Sequence, residues 1–181
     1  HLDDPAFEPD RDQVLRRAFE AGLAGAVVAG YGPERWPGEA ALARAHRNLA
    51  CCYGVHPWRV GEAEDREIPA LVASLERFLA TVDPPAVGLG ELGLDRVRRE
   101  GWERQEEAFR LQLALARRRN LPVVLHVVRA HGRTLALLDG EGLPEAGGMV
   151  HAFRGSLEVA REYLARGLHL SFGMGLQEEV V

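Results

Sequence analysis

The sequence predicts an α/β fold built around a parallel β-sheet, and three observations support this class. Short apolar runs alternate with amphipathic stretches of helical period along most of the 181 residues, as expected for repeated βα units. Glycine or histidine follows several apolar runs, which is typical of strands that end at a turn. The runs are continuously apolar, which indicates a sheet buried on both faces, the usual arrangement of parallel strands.

The elements of the first half follow from hydrophobic period and turn residues. Helices are predicted where apolar residues recur every three or four positions, over residues 10–22, 35–48 (weakly) and 68–81. Strands are predicted where an apolar run ends at glycine or at a His-Pro pair, over residues 24–30, 49–55 and 86–92. These stretches alternate, so each strand is followed by its own helix.

The second half repeats the pattern with clearer helix ends. Strands are predicted over residues 121–128, 148–153 and 168–172, and helices over residues 102–120, 131–139 and 156–166. Asn120 ends the longest helix, while Ser156 and Gly167 are the candidate N-cap and C-cap of the last one.

A sheet of this kind is either closed into a barrel or open and doubly wound. A closed eight-stranded barrel typically needs about 250 residues, and this sequence predicts no strand ahead of its first helix. We therefore expect residues 1–181 to form one domain with an incomplete TIM (β/α)8 barrel. It would lack most of strand 1 and the elements after strand 7.

Composition narrows the classes of protein. Hydrophobic residues make up 46% and charged residues 27%, as in ordinary globular domains. No apolar run approaches the roughly 18 residues of a membrane span, and the first residues lack the blocks of a signal peptide. Cys51 and Cys52 are neighbours, so they give no disulfide framework. We expect a cytoplasmic protein without a membrane partner. The net charge of −5 argues against a protein that coats nucleic acid by charge alone, and we predict no protein partner.

Glu91, His126 and His151 close three successive predicted strands. The carboxyl ends of barrel strands meet at one mouth, so these side chains should converge there. The intervals of 35 and 25 residues fit one βα unit per ligand and not the close pairs of a zinc finger. A lone histidine on an apolar strand is more often a core residue. Two histidines and a carboxylate in equivalent places predict a metal site.

The donor types leave the metal open. Imidazole and carboxylate suit Zn, Mn, Fe or Ni, and a bridging carboxylate also admits Mg, so we expect one or two divalent ions. All 22 Lys+Arg residues are arginine, so no carbamylated lysine within residues 1–181 can bridge two ions. Two ions about 3.5 to 4 Å apart would activate a shared water and clamp the oxygens of a phosphodiester.

Several ordered segments of the chain resemble the signatures of TatD-type metal-dependent deoxyribonucleases. They are Tyr-Gly-Val-His-Pro at 53–57, Val-Gly-Leu-Gly-Glu-Leu-Gly-Leu-Asp at 87–95, the stretch 112–126, and Val-His-Ala-Phe-Arg-Gly-Ser-Leu-Glu at 150–158. The resemblance extends from His1 to about Gly173. It implies a TIM barrel with a two-metal hydrolytic site that acts on DNA, as a 3′–5′ exonuclease or a less specific DNase.

The resemblance also implies roles for the metal ligands. Glu91 would bridge the two ions, and His126 and His151 would complete one metal position. The other position would take a His-x-His pair and a late aspartate, and His1 matches the second histidine of that pair because Leu2 and Asp3 follow it.

Further site candidates lie near the same mouth. His56 would hold a substrate phosphate or orient a ligand, or it is simply a core histidine at a turn. Asp95 would accept a hydrogen bond from a ligand histidine, or it forms a surface ion pair with the next residue. With Glu91, these two are our candidate catalytic residues. Arg129 and Arg154 stand where the family often has aspartate and serine, and would contact phosphate or remain solvated.

We therefore interpret the chain as a metal-dependent hydrolase that cleaves phosphodiesters with a metal-activated water. Ester or amide hydrolysis is the alternative within the enzyme class, because related barrels differ mainly in their mouth loops. A noncatalytic metal-binding protein is the alternative outside it.

Overall fold

Six parallel strands form one sheet in the computed structural model, which describes residues 2–98 and 100–173. Their order across the sheet is their order along the chain, from β1 to β6: Ala26–Ala29, Leu49–Tyr53, Gly88–Asp95, Val123–Val128, Gly148–His151 and Leu168–Leu170. The helices are α1 to α7: Arg11–Glu20, Trp36–Ala45, Pro57–Gly61, Ile68–Thr81, Trp102–Arg119, His131–Glu141 and Leu157–Ala165. Two 3-10 turns cover Pro5–Phe7 and Asp65–Glu67.

The strand order decides between the two sheet types that the sequence allows. A doubly wound sheet reverses its strand order at a switch point, whereas each strand here pairs in parallel with the next one in sequence. This progression, with helices between the strands, is that of a TIM barrel. The predicted α/β barrel class is confirmed, with the described strands curled into part of a barrel.

The apolar core lies between the strands and the helices around them. The longest helix, α5, packs against β3, and its buried face carries Phe109 and Leu113. Leu89 and Leu92 of β3 and Leu125 of β4 are fully buried in the same core. No helix among the described residues is long and apolar enough to cross a bilayer.

Most predicted helix ends are confirmed. Asn120 caps α5 in a left-handed conformation, the Ser156 hydroxyl accepts the Val159 N–H at the start of α7, and Gly167 follows that helix with φ +77°. The short helix α3 was not predicted. It begins at Pro57, directly after the histidine that ends the second strand, and five residues are too few to show a helical period.

Strand β3 is longer than the sequence predicts and contains a bulge. It continues to Asp95, so Glu91 lies within the strand rather than at its end. Gly90 pairs with Val124 and Leu92 pairs with Leu125, which leaves Glu91 as the extra residue on β3. Bulges re-aim a side chain relative to the regular alternation of a strand, and this one sets the direction of the Glu91 carboxylate.

Gly54 directly follows β2 and lies very close to this bulge. A Cβ on Gly54 would lie 2.7 Å from the Gly90 carbonyl carbon and 2.8 Å from the Glu91 carbonyl oxygen. We expect Gly54→Ala to lower the free energy of unfolding by about 1 to 3 kcal/mol, as overpacking does. Urea denaturation measures it.

Gly38 supplies the matched control for this substitution. It lies inside α2 with no atom within 4 Å of an added Cβ, so Gly38→Ala should be neutral or stabilising by up to about 1 kcal/mol. Equal stabilities of the two variants would contradict the close approach at Gly54.

Candidate metal centre

Five side chains from neighbouring strand regions meet at the carboxyl side of the sheet. Glu91 and Asp95 come from β3, His126 from β4, His151 from the last position of β5, and His56 from the end of the loop after β2. His56, Glu91 and His126 have one potential ligand atom each within 4.8 Å of one another. Glu91 is 3% exposed and His56 and Asp95 are 2% exposed, so these three side chains are shielded from water, whereas His151 is exposed.

His56 is oriented by its place at the start of α3. Its Nδ1 accepts the Trp58 backbone N–H at 3.1 Å and so caps the helix. A neutral imidazole with Nδ1 as acceptor carries its proton on Nε2. That Nε2–H is 3.1 Å from Nδ1 of His126 and 3.5 Å from Oε2 of Glu91. His56 therefore presents a hydrogen-bond donor, not a lone pair, to the centre.

Burial keeps the His56 ring neutral. Loss of hydration, with the nearby ring of His126 as a smaller cause, lowers the pKa of His56 to about 3. Tyr31 stacks on the same ring with centroids 5.5 Å apart, and its carbonyl accepts the His56 backbone N–H. The ring is thus fixed in position and in tautomer.

His126 has the opposite arrangement of ring nitrogens. Its Nε2 lies 3.2 Å from Oδ2 of Asp95, and a carboxylate acceptor there assigns the proton to Nε2. Nδ1 is left with its lone pair directed to the donor of His56. A carboxylate behind a histidine ring is the usual support of a metal-binding histidine, because it fixes the tautomer and makes the ring more basic.

Asp95 is held by several hydrogen bonds. The Trp58 indole donates to Oδ2 at 2.7 Å, and the Val97 and Arg98 backbone N–H groups donate to Oδ1. Burial alone raises the pKa of Asp95, but the bonds from Trp58, Arg98 and His126 outweigh burial and lower that pKa below its ordinary value. Asp95 is therefore an ionised, buried acceptor for His126.

Glu91 lies between two histidines. Its Oε2 faces His56, and its Oε1 lies 3.6 Å from Nε2 of His151. Its backbone N–H donates to the Gly30 carbonyl of the β1 end. The peptide bond between Gly90 and Glu91 is cis. His151 is half exposed, and its Nδ1 is 3.3 Å from the Ser171 hydroxyl.

Helix α5 supports two strand ends with buried glutamines. The Gln112 side-chain amide accepts a hydrogen bond from the N–H of Val55, the residue before His56, and donates one to the Val55 carbonyl. The Gln105 amide accepts the Asp95 N–H and donates to the Arg98 carbonyl, both at 2.8 Å. The two glutamines are seven residues apart, two turns along one face of the helix. They fix the loops that carry His56 and Asp95 against one rigid element.

The predicted site residues have three different outcomes. The structure brings together Glu91, His126, His151, His56 and Asp95, as described above. The two arginines predicted to contact phosphate are exposed beyond the carboxyl ends of β4 and β5: Arg129 and Arg154. His1 lies outside the described residues, so its predicted role as a ligand stays a prediction.

The supporting roles of the residues around the centre were not predicted from the sequence. Trp58, Gln105, Gln112 and Ser171 contact the cluster or its loops, but none is a ligand type. Two buried glutamines on the apolar face of a helix are the one signal that was available, because a buried amide must find partners.

The donor set fits a divalent cation. Glu91 supplies a buried carboxylate and His126 supplies the Nδ1 lone pair, and the tautomer of His151 that donates Nδ1–H to Ser171 leaves its Nε2 available toward Glu91. Carboxylate plus imidazole is a set that Zn and other transition ions accept. His56 does not fit as a ligand in its present tautomer, because its inward nitrogen carries a proton.

Comparisons with known sequences give one consistent family. A family model described as TatD related DNase matches residues 1–179. An uncharacterized metal-dependent hydrolase, YjjV of Escherichia coli K12, is 34% identical over 174 residues, which cover 96% of this chain and 65% of the relative. The 3′-5′ ssDNA/RNA exonuclease TatD of Cronobacter turicensis is 39% identical over 167 residues, which cover 91% of this chain and 60% of the relative.

Comparison with solved structures agrees. The crystal structure of YjjV, described as a TatD homolog, has a TM-score of 0.85 and 32% identity over 94% of this chain and 64% of that one. A phosphotriesterase homology protein from Escherichia coli has a TM-score of 0.69 at 14% identity, a likeness of fold alone, over 92% of this chain and 62% of that one. The chain thus spans 60 to 65% of the length of these relatives.

The neutral state of His56 predicts a pH dependence of stability. Its pKa is about 3 in the folded chain and about 6.5 when unfolded. Below pH 6.5 the unfolded chain binds a proton at His56 that the folded chain does not. The free energy of unfolding therefore decreases as the pH is lowered from 6.5 to about 3. Between pH 7.5 and 5 this should remove about 2 kcal/mol from the free energy of unfolding in chelator.

Two variants isolate the contribution of His56 to this effect. His56→Asn keeps a helix-capping acceptor and should show a correspondingly smaller loss in urea titrations at the two pH values. His169 is exposed, so His169→Asn should lose as much stability as the parent. An unchanged pH dependence in His56→Asn would show that this ring is not the buried neutral group.

The Gln112 bonds predict a large loss for a substitution of similar size. Gln112→Met leaves the Val55 N–H and carbonyl buried without these partners, which should cost about 2 to 4 kcal/mol in the free energy of unfolding. Gln13 is exposed on α1, and Gln13→Met should change stability by less than about 0.5 kcal/mol. A Gln112→Met variant as stable as this control in urea would show that the helix does not hold the loop.

Proposed function

The chain belongs to the TatD related DNase family, and we propose that it is a divalent-metal-dependent hydrolase that cleaves phosphodiester bonds of DNA as a DNase or 3′–5′ exonuclease. One observation carries this proposal: the buried Glu91 carboxylate lies between histidines at the mouth of the sheet, with Asp95 behind one of them. The relatives named 3′-5′ ssDNA/RNA exonuclease support a nucleic acid as the substrate.

We assign Glu91, Nδ1 of His126 and Nε2 of His151 as ligands of one ion. A second ion would be bound by Glu91 and His1, an assignment that rests on the family resemblance alone. Zn, Mn, Fe, Ni and Mg all accept this mixture of donors. A divalent ion in such a place lowers the pKa of water and draws charge from a phosphoryl oxygen.

Asp95 acts through His126 and not on the substrate. Its hydrogen bond holds the His126 ring with Nδ1 inward, and the Trp58 indole holds Asp95 in turn. Loss of such a supporting carboxylate typically lowers metal affinity or activity about 10- to 100-fold.

His56 has the chemistry of a substrate-binding group. Its neutral ring keeps a fixed Nε2–H beside Glu91, and that donor suits a phosphoryl oxygen in the same space. A donor that is already oriented stabilises developing negative charge without reorganisation.

Arg129 and Arg154 are proposed to bind the phosphate backbone further from the centre. Both are exposed beyond the strands that carry His126 and His151. Guanidinium groups bind phosphate through paired hydrogen bonds, so these positions suit flanking phosphates of a longer substrate.

A cytoplasmic location is also proposed. Its support is the pair Cys51 and Cys52, which are both buried and unbridged. Free thiols persist in a reducing compartment.

Glu91 and His126 give the decisive test of the proposed hydrolase. In the full-length protein, Glu91→Gln removes the ligand charge, and hydrolysis of dye-labelled single-stranded DNA should fall at least about 100-fold. His126→Ala should lose bound metal, measured by elemental analysis after gel filtration. Far-ultraviolet circular dichroism should be unchanged in both variants.

The control and the contrary results are equally specific. His169 is exposed on β6, and His169→Ala should keep full metal content and activity. Full activity of Glu91→Gln at equal metal loading would contradict the assignment. Metal binding without hydrolysis of DNA, while p-nitrophenyl esters are cleaved, would replace the nuclease with an esterase.

A further inference from the structure

We propose that Trp58 and Arg98 form a nucleotide-binding subsite beside the metal centre, where the indole stacks on a base and the guanidinium pairs with a neighbouring phosphate. The inference rests on the proposed phosphodiesterase function and adds the place where the substrate strand is held. It assigns a role to two residues that belong neither to the ligands nor to the arginines discussed above.

Trp58 is positioned next to the centre with part of its ring exposed. Its indole N–H is committed to Asp95 at 2.7 Å, which fixes the ring plane. The ring lies 5.1 Å from that of His56 and 6.1 Å from that of His126, centroid to centroid. The residue is nevertheless 36% exposed. A fixed indole with solvent access suits base stacking, because it loses little side-chain freedom on binding.

Arg98 lies over this indole, with its guanidinium carbon 4.1 Å from the ring centroid. Its backbone is fixed at both ends, by Asp95 at the N–H and by Gln105 at the carbonyl. Within residues 2–98 and 100–173, no carboxylate forms a salt bridge with it. This cation is therefore held near the centre by an aromatic face and retains its charge for an anion.

The neighbouring arginines show the contrast. Arg59 pairs with Glu34, and Arg104 pairs with Asp65. Paired guanidiniums of this kind gain little from a phosphate, because binding would first break an existing ion pair. Among these side chains, Arg98 is the one whose contact is an aromatic ring.

A cavity of about 160 Å³ adjoins the pair and gives the base a place. Trp58 and Arg98 line it together with Pro57, Glu62 and Glu100. The two carboxylates would repel a phosphate inside the cavity, but they can accept hydrogen bonds from the amino groups of a base. The base therefore enters the cavity, while its phosphate stays on the Arg98 side toward the centre.

Binding of single-stranded DNA tests the subsite without hydrolysis. The full-length protein carrying Glu91→Gln serves as the parent, and the probe is a 5′-dye-labelled hexanucleotide followed by fluorescence anisotropy. Two further probes each carry one abasic residue, at the 3′-terminal position in one and at the penultimate position in the other. We expect the parent to bind one of these abasic probes at least about fivefold more weakly, the lower end of aromatic stacking.

Variants of Trp58 identify the stacking partner. Trp58→Leu should bind the intact and abasic probes equally, because the aromatic face is lost. Trp58→Phe keeps a face without the indole N–H and should retain the base preference, which separates stacking from support of Asp95. Thermal melting confirms that both variants are folded. A base preference unchanged in Trp58→Leu, or absent from the parent, would overturn the stacking half of the proposal.

Salt dependence identifies the phosphate contact. Arg98→Gln should weaken the binding of both the intact and the abasic probes. It should also reduce the slope of log affinity against log salt concentration by about 0.7, the value for one phosphate of a single strand. Arg133 is paired with Glu106, so Arg133→Gln is the matched control and should leave the slope unchanged. An Arg98→Gln slope equal to that of the control would overturn this half.

The outcomes also separate the subsite from the proposed function. If the wild-type protein hydrolyses DNA but substitutions of Trp58 and Arg98 do not change binding, the nuclease proposal is supported and the subsite proposal is contradicted. If binding depends on the base through Trp58 but DNA is not hydrolysed, the subsite proposal is supported and the proposed nuclease function is contradicted.

Discussion

A buried carboxylate at Glu91 is the constraint on which the centre depends. Removing a charge from water is costly unless hydrogen bonds or a cation compensate it, and Glu91 is 3% exposed inside the sheet. Nε2 of His56 lies 3.5 Å from one carboxylate oxygen and Nε2 of His151 lies 3.6 Å from the other, and a divalent cation bound at this place would compensate the charge. The inward Nδ1 of His126 faces the His56 donor with its lone pair, and this nitrogen and the Glu91 carboxylate are the donors that we propose bind a cation.

The site is precise because its supports belong to rigid elements. Asp95 orients His126, Trp58 holds Asp95, and two glutamines of α5 hold the backbone on both sides. These contacts connect the strand ends to the helix that packs most closely on β3. The geometry of the proposed ligands therefore depends on helix packing some distance from them, and residues outside the cluster should influence the proposed activity.

Local signals predicted the fold well and the site in part. All six strands of the described chain and every helix longer than five residues followed from hydrophobic period and turn residues, because those signals are local. Convergence of Glu91, His126 and His151 followed from parallel topology. The bulge at Glu91, the opposite tautomers of His56 and His126, and the support from α5 were not predictable, because each depends on at least one contact between residues more than 30 positions apart.

Anomalous diffraction from crystals of the full-length protein grown with Zn²⁺ tests the central claim most directly. The account predicts an anomalous peak about 2.0 to 2.2 Å from a Glu91 oxygen, from Nδ1 of His126 and from Nε2 of His151, with Asp95 still bonded to the other nitrogen of His126. A zinc ion bound through Nε2 of His126, or one that lies away from Glu91, would contradict it.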